Sequence, residues 1–313
     1  MTATKGNPTT VTVVGLGAMG MPVAQRLVSG GYDVIAIDPS AGARARADGA
    51  GMRSFADVAS VPRGDVVLVL VATAQQLLDA VDSGTARRKV EHETWVICST
   101  VGPHAAREAA QILTAAGAAV IDAPVTGGVP GAEQGKLRFL TAGDPSSIDA
   151  LRDLFSVLGE VTVVGDRPGE GQATKLVNQL CSSIHLVAAA EAIALATHLG
   201  LDPGKTVGVI RGGSGASWFL DERGPRMAEV AERGAVPEVL TRLAILAKDN
   251  GLVEEEADAR GAHVPLLKAA KQQYVRATEL GLLEADDSQI IRTYLTGLPQ
   301  HTIRPEPRRE SGQ

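Results

Sequence analysis

The 313-residue sequence predicts a doubly wound α/β domain with a parallel sheet, an all-helical second domain, and a long interdomain helix that joins them. Three observations lead to this fold class. In the first half, short β-branched runs alternate with alanine-rich stretches at helical spacing, which is the pattern of repeated βα units. Most of these runs are continuously apolar, as parallel strands covered by helices on both faces are. Beyond residue 170 only helical patterns follow.

The first domain is predicted to span residues 1–170. Its strands are recognised as apolar runs that end at turn-forming residues, and the last one ends before the turn-forming cluster at 167–171. The predicted strands are Val11–Val14, Val34–Ile37, Val66–Leu70, Trp95–Cys98, Ala119–Ile121, Leu137–Thr141 and Val161–Val164.

The second domain is predicted to span residues 171–300. Its first helix covers Gln172–Leu199, a stretch without proline or glycine, and Gly200 and Pro203 end it. Residues 301–313 are polar and contain proline, so they are expected to form a disordered tail. The shorter helices are expected at Lys205–Arg211, Asp221–Glu232, Pro237–Arg260, Pro265–Glu279 and Asp287–Tyr294.

Composition excludes several classes of function. A net charge of −6 and nine aromatic residues argue against nucleic-acid binding, which needs basic surfaces or stacking platforms. The two cysteines, Cys98 and Cys181, form neither a CxxC pair nor a Cys/His cluster, so no disulfide framework and no metal site is expected. The longest apolar run, Val66–Ala72, is too short to span a bilayer, and no secretory signal precedes it. A cytoplasmic protein without membrane association is therefore expected.

A glycine-rich turn directly follows the first predicted strand and precedes a helical stretch. It has the GxGxxG spacing of the Rossmann-type dinucleotide fingerprint, in which glycines allow a tight turn and a close approach of the backbone to a pyrophosphate. The N–H groups and dipole of the following helix also favour an anion. The expected cofactor-binding residues here are Gly15, Leu16, Gly17, Ala18, Met19 and Gly20.

Asp38 lies at the end of the second predicted strand, 18 residues after Gly20. An acid at this position can hydrogen-bond the ribose hydroxyls of the cofactor and repels a 2′-phosphate, so NAD is favoured over NADP. Two alternatives stay open. In the first, Asp38 only begins a turn with Pro39 and Ser40. In the second, Arg44 and Arg46 either bind a 2′-phosphate or cover a helix surface.

Five blocks in order resemble the β-hydroxyacid dehydrogenase family, which includes hydroxyisobutyrate dehydrogenases, tartronate semialdehyde reductases and threonate dehydrogenases. The resemblance implies an oxidoreductase that transfers a hydride between a small hydroxy acid and a nicotinamide cofactor. It covers roughly positions 11–260. The blocks are GLGAMGMPVAQRL at 15–27, CSTVGP at 98–103, DAPVTGG at 122–128, GEGQATKLVNQ at 169–179 and AKDNGLV at 247–253.

Thr126, Gly127 and Gly128 are the candidate substrate-carboxylate site. Two successive glycines can aim neighbouring backbone N–H groups at an anion. The family has Ser-Gly-Gly at this turn, and there it holds the substrate carboxylate; Thr126 keeps the hydroxyl. Without the resemblance, a plain turn before a helix is the alternative.

Lys175 is the candidate general acid/base, by resemblance to the family. It shares a helix face with Asn178 and Gln179, at positions i+3 and i+4. Taken alone, a helical lysine is far more often a solvated charge. Many family members carry Asn-Asn where this chain has Asn178-Gln179, so which of the two contacts the substrate stays open.

The remaining candidate contacts rest on weaker matches. Three cofactor contacts in the family correspond to Val71, Ala72 and Thr100, of which the first two follow the predicted strand Val66–Leu70. Lys248 corresponds to a lysine that reaches the nicotinamide end. Trp218 follows a glycine-rich turn and is a candidate wall of the substrate pocket; a core aromatic residue is the alternative reading.

The leading hypothesis is therefore an NAD-dependent dehydrogenase of a small hydroxy acid, similar to 3-hydroxyisobutyrate or threonate, that forms a homodimer or homotetramer. An imine reductase on the same architecture and a non-catalytic NAD(H)-binding scaffold or sensor are the alternatives. Lys175 counts against an imine reductase, because those enzymes usually lack this lysine. Degenerate scaffolds tend to lose either the lysine or the Thr/Ser-Gly-Gly turn.

Overall fold

The computed structural model describes residues 9–295, which form two compact units that divide between Asn178 and Gln179. The division lies inside one 29-residue helix, a few residues beyond the predicted boundary at 170. The predicted tail, residues 301–313, lies outside the described residues.

The first unit is an α/β layer structure, as predicted. Its helices are α1 (Gly20–Ser29), α2 (Ala41–Gly49), α3 (Ala74–Arg87), α4 (Pro103–Ala115), α5 (Gly128–Gln134), α6 (Pro145–Ala150) and α7 (Arg152–Leu158), with a short 3₁₀ helix at Val58–Ser60. Its strands are β1 (Thr10–Val14), β2 (Asp33–Ile37), β3 (Arg53–Phe55), β4 (Val66–Val69), β5 (Thr94–Ile97), β6 (Ala119–Asp122), β7 (Val125–Thr126), β8 (Leu137–Gly143) and β9 (Gly159–Gly165).

The nine strands form one sheet in the order β3-β2-β1-β4-β5-β6-β8-β7, with β9 paired to β8. The strands from β3 to β6 are parallel, so the carboxyl ends of β1, β2, β4, β5 and β6 meet at one edge, here called the C-terminal edge. The expectation of parallel pairing is wrong for β8, which is antiparallel to β6 and β7. The chain reverses at the turn after Thr126, which puts β7 and β8 side by side in opposite directions.

Helices cover both faces of this sheet, as the continuously apolar strands predict. In β4, Val66 and Leu68 belong to one hydrophobic core, while Val67 and Val69 belong to a second core on the opposite face. Successive side chains of a strand point to opposite faces, so only an uninterrupted apolar run can fill both cores.

The second unit is helical. Helix α8 (Glu170–His198) begins in the first unit and is followed by α9 (Pro203–Ile210), α10 (Trp218–Arg233), α11 (Leu243–Ala259), α12 (Pro265–Glu279) and a 3₁₀ helix at Asp287–Thr293. The prediction that α11 begins at Pro237 is wrong by six residues. The N–H groups of Leu240 and Thr241 bind the Asp286 carboxylate, and that of Leu243 binds the Ala285 carbonyl, so this segment is held outside the helix.

Helix α8 alone, among the described residues, is long and apolar enough to cross a membrane by length and composition. Its apolar residues are interspersed with polar ones, so no uninterrupted apolar run marks it in the sequence. Its buried side chains, including Leu186, Ala190 and Ile193, belong to the hydrophobic core of the second unit. The apolar character of α8 thus supplies that core.

Candidate active site

The glycine-rich turn closes tightly over the carboxyl end of β1. A Cβ atom at Gly20 would lie 1.7 Å from the Gly15 carbonyl oxygen, and Gly15 itself has a φ of +93°. Glycine is therefore required at both ends of the turn. At Gly17, by contrast, a Cβ atom would meet no atom of the described residues within 4 Å. Glycine at this position leaves the backbone accessible from outside, which fits the close approach of a pyrophosphate.

The rest of the turn is divided between the core and the surface. Leu16 is buried in the core, Met19 packs against it, and Ala18 is exposed beside Gly17. Helix α1 begins at Gly20 without a capping side chain, so no side-chain acceptor occupies its N-terminal end. This end lies between β1 and β4. The strand order continues from β1 to β2 and β3 on one side, and from β4 to β5 and β6 on the other. Open α/β sheets bind nucleotides at such a switch point.

Asp38 follows β2 and is held beside the glycine turn. Its carboxylate accepts hydrogen bonds from the N–H groups of Leu16 and Ser40, each at 2.8 Å. Arg44 donates to the carbonyl oxygens of Asp38 and Pro39, also at 2.8 Å each. The Asp38 carboxylate thus binds both the turn at Ser40 and the glycine turn at Leu16. The Arg44 guanidinium lies next to Asp38.

The loops after β4 and β5 are joined at the same edge. Ser99 accepts a hydrogen bond from the Val71 N–H at 2.7 Å and donates one to the Val69 carbonyl. The Ala72 N–H binds Gln76 at 2.9 Å, and Thr100 follows Ser99 directly, half-buried. The predicted contacts Val71, Ala72 and Thr100 therefore border one edge, and Ser99, which holds the loops together, was not singled out from the sequence.

A buried amide anchors the beginning of α8 to this edge. The side chain of Gln172 is fully buried and accepts hydrogen bonds from the N–H groups of Val101 and Gly102, at 3.0 and 3.2 Å. It donates to the Ser99 carbonyl and to the Asp122 carboxylate, both at 2.9 Å. All four hydrogen-bonding positions of the amide are used.

Asp122 completes this anchor from the end of β6. Its second carboxylate oxygen accepts from the backbone N–H groups of Gly169 and Gln172, at 2.8 and 3.0 Å. Burial raises the pKa of Asp122, although these hydrogen bonds oppose the shift. Neither Gln172 nor Asp122 was a candidate from the sequence. For Asp122, a signal was present, because it is a polar residue at the end of an apolar strand.

The Thr126 turn contains two successive glycines with positive φ values. Gly127 and Gly128 have φ values of +117° and +60°, and α5 begins here without a side-chain cap. A side chain at either position would be strained. Thr126 is half-buried and is paired with Arg138 of β8.

The three candidate residues of α8 differ in exposure. Lys175 and Gln179 are each 7% exposed, whereas Asn178 is exposed. Gln179 donates to the Asp249 carboxylate at 2.5 Å, and Lys248 contacts the other oxygen of that carboxylate at 3.0 Å. Asp249 therefore connects α11 with α8 in the second unit.

Trp218 is the first residue of α10, and its side chain is 57% exposed. Its ring stacks on the Arg223 guanidinium, which is bound to the buried Asp287. Burial raises the pKa of Asp287 to about 6, although the positive charge of Arg223 lowers it.

A glycine turn at the switch point of a doubly wound sheet, with an acid fixed beside it, is the arrangement by which Rossmann-type domains bind a dinucleotide. Comparison with known proteins agrees. Residues 10–165 match the family model described as the NAD binding domain of 6-phosphogluconate dehydrogenase. Residues 169–294 match the model described as NAD-binding of NADP-dependent 3-hydroxyisobutyrate dehydrogenase. The chain belongs to the β-hydroxyacid dehydrogenase family, which confirms the resemblance seen in the sequence.

Individual relatives cover nearly the whole chain. The L-threonate dehydrogenase of Cupriavidus necator is 34% identical over 91% of this chain and 95% of its own. The crystal structure of 3-hydroxyisobutyrate dehydrogenase from Salmonella typhimurium is 29% identical, with a TM-score of 0.79, and covers 91% and 99% of the two chains. The Mycobacterium tuberculosis 3-hydroxyisobutyrate dehydrogenase with L-serine is also 29% identical, with a TM-score of 0.81 over 91% and 99%. The protein is thus a hydroxy-acid dehydrogenase.

Proposed function

We propose that the protein oxidises a short hydroxy acid of the threonate or 3-hydroxyisobutyrate type with NAD, and that Lys175 is the general acid/base. The observation that carries this proposal is the burial of Lys175 on α8, one turn after the Gln172 anchor at the C-terminal edge. A lysine that is only 7% exposed is rarely a surface charge, and here its helix is fixed to the cofactor-binding edge.

Each part of the site has a distinct task. The N–H groups of the Gly127–Gly128 turn, with the Thr126 hydroxyl, bind the substrate carboxylate. A bound nicotinamide supplies the hydride acceptor. Lys175 takes the proton of the substrate hydroxyl as the C–O bond becomes a carbonyl, and it returns that proton in the reverse reaction.

Asn178, rather than Gln179, is proposed to hold the substrate hydroxyl. The Asn178 side chain is exposed, whereas the Gln179 amide is buried and bound to Asp249. Asn178→Ala should therefore lower kcat directly. Gln179→Ala should act through the loss of the α8–α11 connection, and the free energy of unfolding should fall as well.

The cofactor preference is inferred from Asp38. Its carboxylate is fixed beside the glycine turn, where it disfavours a 2′-phosphate. Arg44 lies next to it, so the removal of the acid should reverse the preference. We expect a higher kcat/KM with NAD than with NADP, and the opposite order for Asp38→Ser; a wild-type preference for NADP would refute the assignment.

Substitution of Lys175 by methionine tests the mechanism. Methionine keeps a similar unbranched stem, so the variant should fold and bind NADH, while kcat should fall by about a hundredfold or more, the usual contribution of general acid–base catalysis. NADH formation is followed at 340 nm over a panel with threonate, glycerate, 3-hydroxyisobutyrate and serine, and binding is followed by NADH fluorescence.

The matched control is Lys268→Met, at an exposed lysine of α12. It should retain the wild-type rate. Turnover of Lys175→Met within threefold of wild type would refute the role of Lys175. Absence of any activity of the wild type over the panel would refute the proposed substrate class.

We also infer that the protein forms a homodimer or homotetramer. Size-exclusion chromatography with light scattering decides between one, two and four copies of the 32.3 kDa chain. A monomer at all concentrations tested would contradict the inference.

A further inference from the structure

In the second unit, helix α8 has an apolar stripe on its solvent side. At about 100° per residue, the positions on the same side as Ala188 lie within an arc of about 80°. All six such positions between residues 181 and 199 are apolar, and each is exposed or half-buried: Cys181, Ile184, Ala188, Ala192, Leu195 and Leu199. They are here called the α8 stripe. Its two leucines, Leu195 and Leu199, are 58% and 66% exposed.

The core of the second unit does not cover this stripe. The side chains of α8 that fill the core, such as Leu186, Ala190 and Ile193, lie on the opposite side of the helix. Within residues 9–295, Ile184 is the one member of the stripe that packs against that core, and it does so as a partly buried residue. Only 44% of the most apolar 18-residue window of α8 is buried. A continuous apolar surface left exposed in this way is typical of an interaction site.

A lipid membrane does not match the residues around the stripe. A helix that spans a bilayer is apolar on every side, whereas His185, Glu191 and His198 flank the stripe. A helix that lies in the membrane surface is rich in Lys and Arg on its polar face. Residues 181–199 contain neither, and the chain has a net charge of −6. A protein surface is therefore the better occupant.

The spacing of the stripe is symmetric about Ala188. Ile184 and Ala192 lie four residues before and after it, and Cys181 and Leu195 lie seven residues before and after it. A second α8, antiparallel about a two-fold axis at Ala188, places the two members of each pair opposite one another.

This arrangement sets a large side chain against a small one at each contact. Ile184 meets Ala192 of the second copy, and Leu195 meets Cys181 of the second copy, so the side chains interdigitate as in packed helices. In a parallel pair each residue would meet its own copy. Leucine would then meet leucine, and gaps would remain at Ala188 and Ala192. The antiparallel pair thus buries the stripe with fewer gaps.

We propose that a second copy of this chain covers the α8 stripe, with the two α8 helices antiparallel across a two-fold axis at Ala188. The inference rests on the homodimer or homotetramer of the proposed function, and it names the surface through which two copies meet. Alanine at the axis lets the two helices approach to about 8 Å. The contact is apolar over about 27 Å of helix, so added salt should not weaken it.

The first test measures the mass of the protein in solution by light scattering. Leu195→Glu places a carboxylate in the apolar contact of each copy, so the dissociation constant should rise by about a hundredfold or more, and the mass should fall by half. The matched control is Leu266→Glu, at a leucine of α12 that is 66% exposed and lies outside the stripe. It should keep the wild-type mass. Circular dichroism checks that both variants are folded.

The second test measures the orientation of the two helices by oxidation with copper–phenanthroline. In the antiparallel pair the two copies of Cys181 lie about 21 Å apart along the helices, whereas a disulfide needs Cα atoms within about 7 Å. The wild type should therefore form no cross-link, since its other cysteine, Cys98, is buried. Ala188→Cys in a Cys181→Ser background should form one, because both copies of residue 188 lie at the axis. Leu266→Cys in the same background is the control and should form none.

The outcomes separate this inference from the proposed oligomer. An oligomeric wild type whose mass is unchanged by Leu195→Glu, or is halved by Leu266→Glu as well, would overturn the stripe as the contact and leave the oligomer standing. A wild-type cross-link through Cys181 would overturn the antiparallel arrangement. A wild type that is monomeric at every concentration would overturn both, and its cosedimentation with vesicles of phosphatidylcholine and phosphatidylserine would assign the stripe to a membrane instead.

Discussion

Replacement of Gln172 by leucine should destabilise the first unit more than any single surface change. The side chain is fully buried and makes four hydrogen bonds. Leucine is similar in size but leaves two buried N–H groups, of Val101 and Gly102, and two oxygens, of Ser99 and Asp122, without this partner. Each orphaned buried group costs about 1–3 kcal/mol, so four give at least about 4 kcal/mol. Domains are stable by only about 5–15 kcal/mol in total.

The two units can be observed separately, because each contains one tryptophan: Trp95 in the first and Trp218 in the second. In a Trp218→Phe background, urea unfolding followed by fluorescence reports on the first unit. With a slope of about 2 kcal/mol/M, a loss of about 4 kcal/mol lowers the midpoint by about 2 M. The position of Lys175 depends on the same anchor, so activity should be weakened below the new midpoint and lost above it.

Gln75→Leu is the control, since the amide of Gln75 makes one exposed hydrogen bond, to Asp79. Its free energy of unfolding should change by less than about 0.5 kcal/mol. If the free energy of unfolding of Gln172→Leu also stays within about 0.5 kcal/mol of wild type, the four hydrogen bonds do not stabilise the junction of α8 with the sheet. The anchor would then not be what positions Lys175.

Three further substitutions test other parts of the structure. Gly127→Ala, at a φ of +117°, should raise KM for the acid about tenfold in steady-state assays and cost about 1–3 kcal/mol in urea unfolding, whereas Gly49→Ala, which has open space and an ordinary φ, should do neither. Asn250 is 1% exposed, and neither polar atom of its side chain finds a partner within residues 9–295, so Asn250→Leu should raise stability by about 1–3 kcal/mol; a lower melting temperature would contradict this. Because burial raises the folded-state pKa of Asp287 to about 6, the stability linked to its protonated form is complete below its ordinary value of 3.8 and is lost as the pH rises through 6. Between pH 4 and pH 7 the wild type should therefore lose about 3 kcal/mol relative to Asp287→Asn, and a change of the opposite sign in paired urea titrations would refute the shift.

Much of the fold follows from local pattern. All seven predicted strands form, and the helix predicted at Pro265–Glu279 has those bounds in the structure. These elements have long apolar runs or complete helical periods, so local sequence suffices to define them. Strands β3 and β7, of three and two residues, were missed because so short a segment has no period to detect.

Elements that depend on distant partners were the ones predicted wrongly. The strand β8 is apolar, as a parallel strand would be, but its direction is set by the reversal at Gly127 and Gly128. The segment before α11 has helical composition, yet the Asp286 carboxylate binds its N–H groups and keeps it extended. Local propensity competes weakly with such buried charge-assisted hydrogen bonds.

The same division holds for the candidate site. The family resemblance, carried by motifs in order along the chain, predicted the GxGxxG turn, Asp38, the Thr126 turn and Lys175 as site residues, because each motif consists of residues that are close in sequence. Only the tertiary structure showed that Gln172 and Asp122 anchor α8. Their roles depend on hydrogen bonds to groups 47 to 73 residues away in the chain.

The surroundings of Trp218 divide in the same way. The sequence by itself determined that Trp218 is a large side chain after a glycine-rich turn, in a chain with few aromatic residues. Only the tertiary structure places that ring on the Arg223 guanidinium, which is bound to Asp287, 64 residues further along the chain. A motif can name a residue, but the orientation of its side chain is set by neighbours that are distant in sequence, since packing and burial act through space.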